Sequence, residues 1–401
     1  MKSSAPQILA INGGSSSIKF ALFENHVALS RAVSGSIEGI GQPKGVFKVK
    51  GDEPVSQPGT FRNHAEAVEI LIPWIEGRIA SGSLSGIGHR VVHGGPKYSQ
   101  PERITPEVIA ELRRIGPFDP EHMPAEILLT EAFHRAFPNV PQIACFDTEF
   151  HHGMPPVARL LPIPRRYGAL GVRRYGFHGL AYAYLMRELA RTAGEAAANG
   201  RIILAHLGNG ASMAAVLRGQ SVDTTMALTP AAGLVMGTRS GDVDPGLAAF
   251  LARSEQMTPP QFDHMVNHES GLLGVSEISS DMRDLLARES GDVRAAEAVA
   301  LFCYQAKKWI GAYAASLEGL DTLVFSGGIG ENSPVVRARI CEGLGFLGIE
   351  LRDSRNAENA AIISADASRT AVRVIRADEE VMIAEAVRPR VSSGDARRPA
   401  I

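Results

Sequence analysis

Apolar and polar positions follow one another along this chain in runs that predict strands and helices in turn. Apolar runs bounded by glycine or polar residues predict strands at 7–11, 18–23, 88–92, 142–146, 201–207, 213–217 and 322–325. Apolar positions that recur on one face predict helices at 62–80, 104–115, 124–137, 178–192, 281–288, 293–317, 334–344 and 379–387. Because strands alternate with helices, the pattern indicates an α/β fold.

Two parts of the chain share one order of elements. A strand, a glycine-rich turn and a second strand occupy 8–23, and the same order occurs at 201–217. The chain is therefore predicted to consist of two related halves. Proline and arginine dominate 151–174, which favours a long connection between the halves. The tail at 388–401 is predicted to be frayed.

Composition narrows the class of protein. The chain has 401 residues, enough for two domains with separate cores, and its 45% hydrophobic and 21% charged residues are ordinary for a globular protein. A net charge of −2 argues against general binding of nucleic acid or membrane surfaces. No apolar stretch reaches the roughly 20 residues that span a bilayer, and residues 1–14 lack a signal-peptide core. Three widely spaced cysteines fit a reducing compartment, so we expect a cytoplasmic protein.

Three glycine-rich turns, each beside a β-like run, are candidate phosphate-binding loops. They lie at 12–17, followed by Lys19, at 206–210 and at 327–332. Such turns expose backbone N–H groups that can hold phosphate oxygens, and a helix that follows adds its dipole. The turn at 12–17 taken alone fits an ordinary hairpin equally well. The residue order of a Walker A loop is missing. Three such turns together favour a phosphate-binding protein.

Charged residues near these turns supply the groups that phosphoryl transfer needs. Arg90 and Arg239 lie in glycine-containing motifs beside turns, Asp147 follows a predicted strand, and His178 precedes a glycine. Cations neutralise phosphate oxygens, and a carboxylate can hold a metal ion or position a reactant. Taken singly, an arginine beside glycine is more often a surface cation, and Asp147 fits a helix or turn cap. Together they indicate a phosphate-handling α/β enzyme.

Other candidate sites have less support. His151 and His152 are adjacent, so their side chains point apart, and we interpret them as part of a polar loop rather than as a metal site. Cys145 lies in an apolar strand without an activating partner, which is typical of a core residue. The chain lacks the Gly-x-Ser-x-Gly sequence of serine hydrolases.

Taken together, these segments resemble the acetate kinase family, which lies within the superfamily of acetate and sugar kinases, heat-shock ATPases and actin. The longest matching motif is Met-Gly-Thr-Arg-Ser-Gly-Asp at 236–242. The resemblance covers nearly the whole chain and is carried further by the motifs at 11–20, 88–95, 146–148, 174–179, 206–212, 244–245, 280–283, 327–332 and 378–380.

The resemblance implies a fold and an assembly. The fold would be two related ribonuclease H-like (actin-like ATPase) α/β domains with a nucleotide cleft between them. The N-terminal domain would occupy 1–150 and be completed by a C-terminal helix at about 384–401, and the nucleotide-binding domain would occupy 151–383. The resemblance also implies a homodimer, with a small carboxylate and ATP or ADP as ligands and with neither nucleic acid nor membrane as a partner.

The resemblance further implies roles at the phosphate end of the site. Asn12 and Glu379 match the positions that hold Mg²⁺, for which Mn²⁺ can substitute, and Lys19 matches a phosphate contact. Asp147 matches an acidic residue that positions or activates the carboxylate substrate. Because a carboxylate is already ionised near neutral pH, we favour positioning and Mg²⁺ coordination for Asp147.

Matching residues for the two substrates follow in the same way. Arg90 and Arg239 match arginines that grip the carboxylate and the transferring phosphoryl group, and His178 matches a transition-state donor. The alkyl pocket would be formed by Val92, Phe177 and Pro230, with Phe118 narrowing it in favour of acetate. The nucleotide would contact His206, Leu207, Gly208, Asn209, Gly210, Asp281, Met282, Arg283, Gly328, Ile329, Gly330, Glu331 and Asn332.

One segment departs from the family pattern. The family has Ala-Pro-Leu-His-Asn-Pro before a helix, whereas this chain has Gly-Pro-Phe-Asp-Pro-Glu-His-Met-Pro at 116–124. If His122 is the matching histidine, which also binds substrate, a short insertion precedes it. If the register is kept at Pro117, Asp119 replaces the histidine, and a carboxylate would oppose the anionic substrate. We favour His122, because the proline and alanine that follow it preserve the pattern.

The activity implied by the resemblance is reversible, ATP-dependent phosphorylation of acetate to acetyl phosphate by direct in-line transfer. A propionate or butyrate kinase with the same mechanism is the nearest alternative, and pyrophosphate is a less favoured phosphoryl donor. A more distant alternative is an actin-like or heat-shock-like regulatory ATPase, which would lack the carboxylate-gripping pair Arg90 and Arg239.

Overall fold

The structure is a computed structural model that describes residues 5–51 and 54–392. Its strands are β1 Gln7–Gly13, β2 Ser17–Asn25, β3 Leu29–Glu38, β4 Gly45–Lys50, β5 Val55–Gly59, β6 Leu84–Val91, β7 Glu102–Arg103, β8 Gln142–Phe146, β9 Arg201–Leu207, β10 Ala211–Leu217, β11 Gln220–Thr224, β12 Thr322–Ser326 and β13 Ala371–Val374. Its α-helices are α1 His64–Glu76, α2 Pro106–Ile115, α3 Met123–Ala136, α4 Pro156–Arg159, α5 Arg165–Gly168, α6 Gly179–Ala193, α7 Glu195–Ala198, α8 Gly246–Ser254, α9 Pro259–His264, α10 Gly271–Ser276, α11 Met282–Arg288, α12 Val293–Ser316, α13 Gly327–Asn332, α14 Pro334–Cys341, α15 Asp353–Ala357 and α16 Glu379–Ser392. Short 3-10 helices occupy Gly116–Phe118, Glu149–His151 and Gly345–Leu347, and a π-helix occupies Met265–Glu269.

Every strand and helix predicted from the pattern is present, with ends that differ by a few residues. Strands β3, β4, β5, β7, β11 and β13 escaped prediction, and most residues of each are partly or fully exposed, so the sheet does not require a long apolar run there. The glycine turn predicted after β12 is wrong, because those residues form the short helix α13. Helix α16 runs beyond its predicted end and through Pro389. Of the tail that was predicted to be frayed, residues 393–401 lie outside the described part of the chain.

The chain folds into two compact units, of which the first contains residues up to Glu149 and from Asp378 onward. Its sheet has the order β5-β4-β3-β2-β1-β6-β8-β7. Strand β1 pairs antiparallel with β2 and parallel with β6, and β6 pairs parallel with β8. Consequently β1, β6 and β8 all end at the same edge of the sheet.

Helices cover both faces of this first sheet. Ile87 of β6 packs in a core with α1 and α3, whereas its neighbours Gly86 and Gly88 face α16. Successive strand residues point to opposite faces, so α16 lies on the other side of the sheet from α1 and α3. A Cβ at Gly88 would lie 2.3 Å from Cγ2 of Ile383, and glycine there lets α16 approach the sheet. This close packing fixes the first turn of α16 beside the end of β1.

The second unit, Phe150–Ala377, contains a five-stranded sheet of order β11-β10-β9-β12-β13. Strand β9 pairs antiparallel with β10 and parallel with β12, and β12 pairs parallel with β13. Helix α6 packs on this sheet through a cluster of Tyr182, Leu185, Leu189, Ile202, Leu204, Ala214, Val216 and Val324. The order and directions repeat those of β3-β2-β1-β6-β8 in the first unit, which confirms the two related halves.

The structure also bears on the three cysteines and on possible membrane-spanning helices. Cys145 is fully buried in β8, as a core residue should be, and Cys303 and Cys341 are buried as well. Burial raises the pKa of the Cys145 thiol well above its ordinary value. Over residues 5–51 and 54–392, no helix combines the length and the apolar character that a membrane crossing requires.

Candidate active site

The edge where β1, β6 and β8 end carries a buried ion pair. Arg90 lies on β6, and Asp147 follows β8 directly, so the parallel pairing brings the two side chains together. Nε and Nη2 of Arg90 donate to Oδ2 of Asp147 at 2.9 and 2.6 Å, and Nη1 donates to the carbonyl oxygen of Gly13 at 2.8 Å. The guanidinium is thus fixed by three strand ends.

Glu126, which the sequence did not mark as a site residue, completes this group. It lies in the first turn of α3, and its Oε1 is 3.5 Å from Nη1 of Arg90. Burial disfavours the charged guanidinium, but Asp147, Glu126 and Glu379 together raise the pKa of Arg90. Burial raises the pKa of Glu126 to about 8, against the opposing effects of Arg90 and the Val92 N–H. Arg90 therefore stays cationic in this group.

Asn12, at the end of β1, faces the first turn of α16. Its Nδ2 donates to Oε2 of Glu379 at 2.7 Å and to Oε1 of Glu380 at 3.1 Å. Burial and the neighbouring Glu379 raise the pKa of Glu380. Lys19 is opposite Asn12 in the β1–β2 hairpin, and its side chain is exposed. The structure therefore brings Asn12 and Glu379 together and adds Glu380, which the sequence did not single out.

These residues fit a magnesium ion that is bound together with a nucleotide. Among residues 5–51 and 54–392, no three His, Cys, Asp or Glu side chains are grouped so as to hold a metal ion. Mg²⁺ usually keeps several waters and is bound through one or two carboxylates and the phosphates of its substrate. The amide of Asn12 and the carboxylate of Glu379 lie in contact and supply oxygen donors of the required kind.

In the segment before α3, the two candidates for the family's histidine position form one buried pair. Nδ1 of His122 lies 2.9 Å from Oδ1 of Asp119, and both side chains are almost completely buried. Phe118 packs against the ring of His93 at 5.4 Å and is only partly buried. Val92, one residue beyond β6, is buried. His122 and Asp119 are therefore partners, and the choice between them becomes a question of which one faces a substrate.

The second unit has its own cluster of polar side chains at the end of β9. His178 adopts a left-handed conformation with φ 59°, at the point where the chain turns into α6. Its Nδ1 lies 2.9 Å from Oγ of Ser212, whose hydroxyl also bonds the phenol of Tyr182. The His206 ring lies tilted beside the His178 ring, with the two ring centroids 4.8 Å apart. Positive φ at a residue other than glycine is uncommon and concentrates at functional sites.

Arg239 converges with His178 on the glycine turn after β9. A Cβ at Gly210 would lie 3.4 Å from Nε2 of His178 and 3.9 Å from Nη1 of Arg239. Nη1 of Arg239 also donates to the carbonyl oxygen of Pro230 at 3.4 Å. Two nitrogen donors therefore face one side of a turn that has no side chain to cover it, an arrangement suited to an anion.

The interpretation of His151 from the sequence is wrong. His151 is fully buried rather than part of a polar loop, and its Nε2 donates to the carbonyl oxygen of Phe177 at 3.1 Å. Its Nδ1 lies 2.8 Å from Oγ of Ser221, and burial lowers the pKa of His151 to about 4. The neutral ring anchors buried Phe177 immediately before His178.

Two glycine-rich segments predicted to bind the nucleotide, the turn after β9 and helix α13, lie beside each other in this unit. Gly208 follows β9, and a Cβ there would lie 3.6 Å from the backbone nitrogen of Gly328. The carboxylate of Glu331 accepts hydrogen bonds from the backbone N–H groups of Gly327 and Ala377. The remaining predicted residues include exposed Asn209, Arg283, Gly328 and Asn332, partly buried Asp281 and Ile329, and buried Leu207, Met282 and Gly330.

Comparison with known proteins bears directly on this arrangement. The sequence model of the acetokinase family matches residues 7–385. The chain belongs to the acetokinase family. It is 45% identical to an acetate kinase of Rhodopseudomonas palustris over 389 residues, which cover 95% of this chain and 97% of that protein. It is 42% identical to a propionate kinase of Citrobacter rodentium, with 95% and 96% covered.

Solved structures of acetokinase-family proteins share the fold. An acetate kinase of Porphyromonas gingivalis superposes with a TM-score of 0.85 at 36% identity, covering 97% of this chain and 100% of that one. A propionate kinase of Francisella tularensis superposes with a TM-score of 0.88 at 34% identity, covering 95% and 98%. The predicted fold class, α/β with two related domains, is confirmed.

Proposed function

We propose that this protein transfers a phosphoryl group reversibly between ATP and acetate, giving acetyl phosphate and ADP. The observation that carries the proposal is Arg90, whose side chain is only 12% exposed and is held by Asp147 and the Gly13 carbonyl at the shared end of β1, β6 and β8. A fixed cation at the edge of a sheet is suited to a small carboxylate, and the chain belongs to a family of carboxylate kinases.

The chemistry needs charge neutralisation and positioning rather than a general base. Acetate is ionised at neutral pH, so a carboxylate oxygen attacks the γ-phosphorus directly, and the bond to the β–γ bridging oxygen breaks as ADP leaves with its electron pair. In the first unit Arg90 would orient the carboxylate, and Asp147 would hold Arg90. In the second unit Arg239 and His178 would donate hydrogen bonds to the phosphoryl oxygens as negative charge shifts among them.

Asn12 and Glu379 would hold Mg²⁺ or Mn²⁺, with Glu380 beside them. The ion supplies positive charge to the phosphate oxygens of the nucleotide. Lys19 would add a phosphate contact from β2. The backbone of 206–210 and 327–332, together with the segment 281–283, would bind the nucleotide. The domain boundaries and a cytoplasmic location remain predictions from the sequence.

The acid is the part of the proposal that a substrate series tests most directly. We expect acetate to give a higher kcat/KM than propionate, and propionate a higher one than butyrate. One methylene in such a pocket is worth about 1–3 kcal/mol. The measurement is acyl phosphate trapped as hydroxamate with ATP and each acid, with a reaction lacking acid as the control.

The possible outcomes separate the alternatives. A preference for propionate or butyrate would move the assignment to that acid with the same mechanism. ATP hydrolysis without any acid-dependent hydroxamate would favour the regulatory ATPase. A propionate preference would agree with the propionate kinases among the relatives.

We also propose a homodimer, in which a second copy covers the segment that links β8 to α6. This segment exposes a run of large apolar side chains at Val157, Leu160, Ile163, Tyr167 and Leu170. So many exposed apolar residues in one short stretch are typical of an interface between subunits.

Placing a charge in this stretch should break the dimer. We expect Leu160→Glu to elute as a monomer in size-exclusion chromatography with light scattering, because a carboxylate cannot be buried there without a partner. Val27→Glu is the matched control, because Val27 is 97% exposed in the hairpin between β2 and β3. A dimeric Leu160→Glu, or a monomeric wild type, would exclude this interface.

A further inference from the structure

Glu126 makes contacts that its place in a helix does not explain. A glutamate in the first turn of a helix ordinarily stays near the backbone N–H groups of its own helix. Instead, Oε2 of Glu126 accepts the N–H of Val92 at 2.8 Å, and Oε1 lies 3.5 Å from Nη1 of Arg90. The side chain is 3% exposed. The carboxyl group of Glu126 therefore connects α3 to both Arg90 and Val92 at the end of β6.

The two partners of Glu126 have related tasks in the proposed reaction. Arg90 would orient the carboxylate, and Val92 would line the pocket for the alkyl group. Both are set by the path of the chain where β6 ends, and β6 ends at Val91. Beyond that point the sheet no longer holds Val92, so the Glu126 carboxyl takes the place of a strand partner for its N–H.

We propose that Glu126 is a positioning residue for the carboxylate substrate, because it fixes the guanidinium of Arg90 and the backbone of Val92 relative to each other. This inference rests on the proposed function, since it assigns Glu126 a part in the same site. Glu126 would touch neither ATP nor the acid, and would act through Arg90 and Val92.

The charged groups around Glu126 determine how it can position Arg90 and Val92. Arg90 faces it from β6, Asp147 from the end of β8, and Asp119 from the segment before α3. Burial keeps the pKa of Glu126 raised to about 8. Below that pH the carboxyl is mostly neutral and still accepts the Val92 N–H. Above it, a second carboxylate competes with the substrate for Arg90, so the affinity for the acid should fall.

Three variants test the inference in the full-length enzyme with saturating ATP. Glu126→Ala should raise KM for acetate about tenfold or more, because a buried N–H loses its acceptor. It should also reduce the preference for acetate over propionate, while KM for ATP changes less than twofold. Glu126→Gln keeps the acceptor and should stay near wild type at pH 7. Glu131→Ala, which changes another glutamate of α3 and removes its ion pair with Arg113 of α2, should leave all parameters unchanged.

The pH profile gives a readout that a purely structural role would not change. Wild-type kcat/KM for acetate should fall between pH 7 and pH 9 by several-fold more than that of Glu126→Gln. If Glu126→Ala does not fold, this comparison decides alone, and coincident profiles would overturn the inference. Unchanged acetate KM in a folded Glu126→Ala would overturn it as well. A wild type that phosphorylates no acid would instead refute the proposed function, and the inference would fall with it.

Discussion

Replacing Arg239 by alanine is expected to lower kcat by about 10²- to 10³-fold, the usual cost of losing one donor to the charge that develops in a transition state. Arg239 and His178 face the same side of Gly210, and the arginine is held there by the carbonyl oxygen of Pro230. Since we propose that the nucleotide is bound mainly by the backbone of 206–210 and 327–332, the Kd of ATP should change less than threefold.

Steady-state kinetics with acetate, together with calorimetric titration of ATP, would measure both quantities. Arg253→Ala is the matched control, because Arg253 is exposed in the last turn of α8. Arg239→Lys keeps the charge but loses the planar fork, and we expect it to recover only part of the rate. A wild-type kcat in Arg239→Ala would refute the role assigned to Arg239.

The sequence predicted the residues whose position follows from the strands alone. Asp147 follows an apolar strand and Arg90 lies near the end of another, so parallel pairing of β6 and β8 was enough to bring them together. The same holds for Asn12 at the end of β1. These residues need only the register of a sheet, and a pattern of apolar residues specifies that register well.

The residues that escaped prediction depend on tertiary contacts. A glutamate in a first helical turn is commonplace, and only the packing of α3 against β6 turns Glu126 toward Val92. His151 looked like half of a polar pair, yet the fold buries it against Phe177. In the same way, a polar edge strand such as β5 carries no apolar signal, because the sheet covers little of its surface.

Replacing Asp147 by alanine is expected to affect both activity and stability. The Asp147 carboxylate contacts Arg90, and its side chain is only 1% exposed. Its negative charge helps to keep the pKa of Arg90 raised. Removing one partner of a buried pair typically costs about 3–5 kcal/mol of unfolding free energy, because the other charge stays buried. Glu126 and Glu379 remain near Arg90, so we expect the lower end of that range.

Asp147→Ala should lower kcat/KM for acetate more than it lowers kcat/KM for ATP. Without Asp147 the guanidinium is free to turn, and we expect kcat/KM for acetate to fall by about 100-fold or more. Asp147→Asn keeps an acceptor for Arg90 and should lose less stability but a similar part of the activity, because the negative charge is gone. Urea unfolding and the hydroxamate assay measure the two effects separately.

Two comparisons make the expectation for Asp147 specific. Glu38→Ala removes an exposed pair with Lys48 in the same unit and should cost only about 0–1 kcal/mol. The double variant Arg90→Ala with Asp147→Ala should be more stable than the sum of the single changes predicts, since neither Arg90 nor Asp147 is then left without the other. Additive stability losses, or full activity in Asp147→Asn, would show that Asp147 neither holds Arg90 nor contributes its charge to the reaction.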